Sequence, residues 1–208
     1  MEGFVARSYE KTSRHDLDEF RELAGRLRAA LPRGSDVLEV APGPGFLAVE
    51  VARGGHCRVT ALDISKTFVE LARKNAAAAG VSADFRQGNA AHMPLPADSF
   101  DLVVCRAAFK NFSEPENALR EMYRVLRPGG TALIIDLRHD VPMAEIRRYF
   151  DRMGLGFWSR WFTLATFRFM LLRRAYTKPE MEKLLQSAGI PHRAVEATGI
   201  GMEVRFAK

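Results

Sequence analysis

The residues best suited to chemistry cluster in one stretch, positions 37–52, which reads VLEVAPGPGFLAVEVA. Gly43 and Gly45 let the backbone approach a bound molecule closely, and a helix starting just after them turns its unpaired amide N–H groups toward that molecule. Pro44 suits the first helical turn, where no N–H is needed. Asp63 stands about 20 residues further on, the distance at which a nucleotide-binding unit places the carboxylate that accepts the hydroxyls of a ribose. The run from Gly43 to Ala48 satisfies the pattern G-x-G-x-x-[G/A] of dinucleotide sites. A plain tight turn between two elements is the structural alternative. No spacing of His, Cys or carboxylates suits a metal ion.

Those groups need a scaffold, and the apolar pattern supplies one. Leu17, Phe20, Leu23, Leu27 and Ala30 recur at helical intervals, with Ser13 or Asp16 as a cap, before Pro32-Arg33-Gly34-Ser35 breaks the run. Short apolar strands follow at 37–40, 57–62, 83–87, 100–105 and 131–137, and a final pair at 191–197 and 201–207. Helices at 46–53, 66–80, 115–126 and 179–187 separate them. Ligands of an open parallel sheet bind at the carboxyl ends of its strands, which is where Asp63 falls. Ser65 can cap the next helix, so Asp63 is free for a ribose, and Ile64 then lies against a nucleobase.

Read from Glu39, the glycine stretch is E-x-A-x-G-x-G, which resembles the first motif of the class I S-adenosylmethionine-dependent methyltransferases, with Ala41 in place of the usual first glycine. GNAAHMPLPADSFDLVV resembles their G-D-A-x-x-L-P-F…S-F-D-x-V region, with Asn89 for the usual aspartate. R-V-L-R-P-G-G followed by T-A-L-I-I-D resembles the ubiquinone/menaquinone-biosynthesis-like branch. The resemblance spans 37–137 and implies an α/β, Rossmann-like, doubly wound seven-stranded sheet. That sheet is mostly parallel with an antiparallel last strand, and carries an N-terminal helix and a helical cap insertion. It implies S-adenosyl-L-methionine as cofactor, with Glu39, Ala41, Gly43, Gly45, Asp63, Ile64, Asn89, Ala90 and Arg106 around it. An NAD(P)-linked oxidoreductase would leave Glu39 and the R-V-L-R-P-G-G region without a role.

Methyl transfer from a sulfonium releases a neutral leaving group, so alignment and exclusion of water supply most of the acceleration, and a base matters only when the acceptor loses a proton. His139, after the fifth strand, leads the candidates. Lys110 and Asn111 stand where related sequences often have histidines, and Tyr9 lies in the segment that forms a lid in such enzymes. His92 is expected to be structural. The expected acceptor is a small molecule, planar, apolar or anionic. RNA is the alternative, although Cys105-Arg106-Ala107-Ala108 stands where many amino-group nucleic-acid methyltransferases carry an Asn-Pro-Pro-Tyr-type tetrapeptide. A cofactor-binding protein that does not methylate is a further alternative.

At 208 residues and 47% hydrophobic content the chain is read as one domain. It divides into an N-terminal helical lid (1–33), a cofactor-binding core (34–137), an aromatic and basic segment (138–176) and a C-terminal helix with its strand pair (177–208). Cys57 and Cys105 are expected to be reduced core residues. The net charge of +6 is concentrated in 138–176, where eight arginines face three carboxylates. That segment also holds Trp158 and Trp161; Trp158, Trp161, Phe162, Ala165, Phe169 and Leu172 share a helical face, with a hinge expected at Gly154-Leu155-Gly156. It is read as a cap helix, a substrate lid, or a membrane or subunit contact. With no apolar leader and no spanning run, the expectation is a cytoplasmic monomer or homodimer.

Overall fold

The structure, a computed structural model, describes residues 2–3, 6, 8–10, 16–152 and 172–208. Its strands are β1 (Asp36–Val40), β2 (Arg58–Asp63), β3 (Asp84–Gln87), β4 (Phe100–Arg106), β5 (Leu126–Leu137), β6 (His192–Thr198) and β7 (Gly201–Ala207). Its principal helices are α1 (Leu17–Ala30), α2 (Phe46–Ala52), α3 (Lys66–Ala78), α4 (Pro115–Val125), α5 (Met143–Arg152) and α6 (Lys178–Ser187). The seven strands form one sheet in the order β3-β2-β1-β4-β5-β7-β6. β1 to β5 run parallel, and β7 runs antiparallel to both its neighbours. Chain order therefore reverses at β1, which has β2 on one side and β4 on the other. A crevice opens at the carboxyl ends of the strands at such a switch point.

Apolar side chains alternate between two cores. Leu23, Ala24 and Leu27 of α1 join α2 and α3 over one face of the sheet. Leu119, Met122 and Val125 of α4 join Met181 and Leu185 of α6 over the other. α2 is buried along its whole length, and its one charged residue, Glu50, is paired with Arg53 at 3.0 Å. α4 starts with Pro115 in its first turn and buries Ala118, Leu119, Met122 and Val125, a stripe of helical spacing. α6 carries a complete capping box between Thr177 and Glu180.

The R-V-L-R-P-G-G motif has a structural role at the opposite, amino-terminal ends of the strands. Arg127 bonds Asp36 of β1 at 2.7 Å and Asp101 of β4 at 2.8 Å, clamping the first turns of β1, β4 and β5. Arg58 joins through Asp36, and together the two guanidiniums hold the Asp36 carboxyl below its ordinary range, Arg58 contributing most. A side chain at Gly130 would come within 3.0 Å of the Phe100 and Arg127 carbonyls, so only glycine passes there. β5 begins at Leu126, directly after α4, rather than at Thr131, because Leu126 already pairs with Phe100 across a register shift.

Asp16 stands at the N-cap of α1 but its side chain makes no cap bond, and Ser13 lies outside the described residues. Both cysteines are buried free thiols. Of the 138–176 segment, α5 and a short turn at Leu172–Arg174 are described, with Val141, Ile146 and Leu172 packed on Leu137 and Ile200. The expected hinge, Trp158, Trp161, Phe162, Ala165 and Phe169 lie outside the described residues.

Candidate active site

Two adjoining chambers occupy the crevice. The larger, about 400 Å³, is lined by the glycine loop from Ala41 to Pro44 with Glu39, Asp63 and Ile64; by Tyr9, Phe20, Phe46 and Phe68; and by Arg106, Asn111, Phe112 and Arg174. The smaller, about 100 Å³, is lined among others by Leu62, Gly88, Asn89 and Ala90. Ala41, Ile64, Asn111 and Phe112 border both, so they form the neck between them. A larger groove of about 760 Å³ lies between α1 and the β5–β7–β6 end of the sheet. It reaches toward the amino ends of the parallel strands and no carboxylate among the described residues lines it, so volume alone does not identify the site.

The glycine loop is shaped by three residues with positive φ: Ala41 (55°), Gly43 (56°) and Gly45 (79°). Alanine adopts this conformation at a cost of about 1–2 kcal/mol, so the methyl at position 41 is strained. The two glycines differ in what surrounds them. A Cβ on Gly43 would meet only the Tyr9 ring, at 3.8 Å, on the chamber side. A Cβ on Gly45 would stand 2.7 Å from Ala72 and 3.0 Å from Phe85. Gly45 therefore lets α2 pack against α3, and it is not among the residues lining either chamber.

Asp63 holds the loop in place. Its carboxylate accepts the Gly43 N–H at 3.0 Å and the Ser65 N–H at 2.8 Å, while Ser65 Oγ caps α3 by accepting from Phe68 N. Burial raises the Asp63 carboxyl above its ordinary range, opposed by those two amides. Each oxygen keeps lone pairs for hydroxyls entering from the chamber. Glu39 is placed differently. It is 4% exposed, and its Oε2 has no hydrogen-bond partner among the described residues. Burial pushes its carboxyl up to about 8, against weaker pulls from the Ala48 N–H and the Arg106 charge. The buried acid is an unfilled acceptor at the chamber wall, suited to a cationic or hydrogen-bond-donating group.

Arg106, at the end of β4, pairs with Glu19 at 2.6 Å and lies 4.4 Å over the Phe20 ring. The start of α1 thus forms part of the roof. Tyr9 stands edge-on to Phe68, and Gly3 and Glu2 hydrogen-bond Thr67 at the head of α3. Ile64 is 65% exposed and presents its side chain to both chambers. Asn89 accepts the Ala91 N–H at 2.9 Å, which organises the turn bordering the smaller chamber.

The expected catalytic candidates separate. Tyr9 and Asn111 line the larger chamber. Lys110 does not: its amine is buried against Asp136 at 2.7 Å and also donates to the Ala107 carbonyl at 2.9 Å. His139 is outside both linings, its backbone N–H tied to Tyr176 O. His92 faces Glu114 at 3.6 Å on the surface. Phe20, Phe46, Phe68, Phe112 and Arg174 were not marked by the sequence as lining residues. Their types and helical spacing read equally as core or surface, and only the chain's folding over the crevice selects them.

Residues 38–134 match the protein family described as "Methyltransferase domain". The chain is 37% identical over 117 residues to demethylmenaquinone methyltransferase of Deinococcus radiodurans, a stretch covering 56% of this chain and 48% of that protein. It is 35% identical over 108 residues to the ubiquinone/menaquinone biosynthesis C-methyltransferase UbiE of Escherichia fergusonii, covering 50% and 43%. The chain thus spans about half the length of the curated relatives it matches. Among solved structures it resembles a SAM-dependent methyltransferase from Aquifex aeolicus, with a TM-score of 0.68, 21% identity and coverage of 92% and 97%. It also resembles the [4+2]-cyclase SpnF, with a TM-score of 0.65, 25% identity and coverage of 88% and 61%. No helix among the described residues is long and apolar enough to cross a membrane, and no group of metal-ligating side chains occurs among them.

Proposed function

We propose that this chain, whose residues 38–134 belong to the class I S-adenosylmethionine-dependent methyltransferases, transfers a methyl group to a planar small-molecule acceptor, apolar or anionic. The observation that carries the reading is the pair of chambers at the β1/β4 switch point, with the unpartnered Glu39 oxygen inside the larger one. The family's cofactor suits the groups on this wall. In this reading Asp63 accepts the ribose hydroxyls, Ile64 and the Asn89–Ala90 turn meet the base, and Glu39 takes an ammonium group. Gly43 leaves room beside the loop.

Bound S-adenosylmethionine supplies a methyl group on a sulfonium, an electrophile whose departure needs no acid. The protein's own part is alignment and exclusion of water. Tyr9, Phe20, Phe68 and Phe112 provide apolar walls, and the Glu19–Arg106–Phe20 contact holds the roof over them. Arg174 adds positive charge to the chamber, while that of Arg106 is offset by Glu19, and the balance favours an anionic or electron-rich ring. With Lys110 paired and His139 outside the chamber, Tyr9 is the expected candidate that remains to take a proton, when the acceptor must lose one.

The similarity to a cyclase favours a second reading, a protein that uses the same fold without methylating. Incubation with methyl-labelled S-adenosylmethionine and a panel of phenols, naphthols and quinols distinguishes them. Label in an extracted small product supports the proposal. Label in added RNA, or cofactor binding with no transfer across the panel, would favour the alternatives.

A further inference from the structure

We infer that the buried Lys110–Asp136 pair is a positioning device that sets the neck between the two chambers. Half of the neck, Ala41 and Ile64, stands on the ends of β1 and β2. The other half, Asn111 and Phe112, comes from the loop after β4 and depends on what holds that loop. One carboxylate holds it from several directions. Asp136 Oδ1 accepts Lys110 Nζ at 2.7 Å and Leu137 N at 2.7 Å, and Oδ2 accepts Lys110 N at 2.9 Å. Lys110 Nζ also donates to Ala107 O at 2.9 Å, while Ala107 N reaches Ile135 O at 2.7 Å. The Lys110 and Asp136 side chains are only 7% and 4% exposed. Phe109 anchors the same turn in the core, but an apolar contact tolerates sliding, whereas hydrogen bonds fix direction. A buried ion pair adds little net stability over an apolar replacement, and its attested use is to select one arrangement among several. Here the selected arrangement is the height of Asn111 and Phe112 at the neck. Lys110 is accordingly a positioning residue.

The effect on cofactor affinity rests on the function proposed above; the positional claim does not. The test is the double variant Lys110→Met/Asp136→Asn, which removes both charges and leaves one amide oxygen as acceptor where the carboxylate offered two. Amide hydrogen exchange of the empty protein is read together with calorimetric titration of S-adenosylhomocysteine. Residues 107–112 should exchange at least tenfold faster than in the wild type while β1 and β2 stay unchanged, and affinity should fall at least tenfold. Unchanged exchange, or faster exchange with unchanged affinity, overturns the inference. Faster exchange in the variant, with a wild type that binds no S-adenosylhomocysteine, would leave the positioning intact and sink the proposed function instead. Should the double variant not fold, Asp136→Asn alone is held to the same two readings.

Discussion

Asp63 and Glu39 line the same chamber but are satisfied to different degrees: Asp63 accepts two backbone amides, whereas one oxygen of Glu39 has no partner among the described residues. The difference gives Glu39 a pH signature. Its carboxyl is raised from 4.5 to about 8 in the folded protein. Between those values the unfolded chain has lost the proton that the native state keeps. Its contribution is therefore fully present below about pH 4.5 and is lost as pH rises to about 8, at up to roughly 1.4 kcal/mol per pH unit. Glu39→Gln should raise the melting temperature of the empty protein clearly at pH 8 and little at pH 4.5. Equal shifts at both pH values would contradict a neutral buried Glu39. The loop makes a second residue-scale prediction. Ala41→Gly relieves a strained φ and should cost no stability, adding up to about 1 kcal/mol by melting. Gly43→Val fills the open side and should lower S-adenosylhomocysteine affinity at least tenfold. Normal binding by Gly43→Val would mean the loop is no ligand shelf. The glycines were legible in the sequence, but their division of labour was not, since Gly45 meets Ala72 and Phe85 only after three separate elements pack together.

At the scale of elements, the seven strands and the helices between them were readable from apolar runs bounded by glycine and proline, with ends displaced by a residue or two. The larger error, at the start of β5, arose because Pro128 and Gly129-Gly130 read as a stop, whereas pairing with β4 overrides local preference. His139 follows β5 as its sequence position implies, and its N–H bonds Tyr176 O, a contact with a residue 37 positions on that local pattern does not display. The pairing of Lys110, one of the candidate bases, with Asp136 is not displayed locally, because the two lie 26 residues apart in sequence. The junction of β2 and α3 is testable at this scale. Ser65→Ala removes the cap on Phe68 N and should cost about 0.5–2 kcal/mol in a denaturation measurement. It should leave Asp63 able to bind. A variant as stable as the wild type would show that the cap contributes nothing.

On the scale of the whole molecule, the order β3-β2-β1-β4-β5-β7-β6 brings residues from position 9 to position 174 around one crevice. The motifs between 37 and 137 mark one side of it because they carry backbone constraints that sequence displays directly. Tyr9, Phe20 and Arg174, which also line it, lie outside those motifs and converge there only in the fold. The central claim is that this crevice holds an S-adenosyl cofactor through Asp63. Titration calorimetry with S-adenosylhomocysteine and with NAD, on the wild type and on Asp63→Ala, tests it most directly. The wild type should bind S-adenosylhomocysteine and not NAD, and Asp63→Ala should lose about 1.5–3 kcal/mol of binding free energy, the range for hydrogen bonds to a charged group. Equal S-adenosylhomocysteine affinity in both proteins, or wild-type binding of NAD alone, would contradict it.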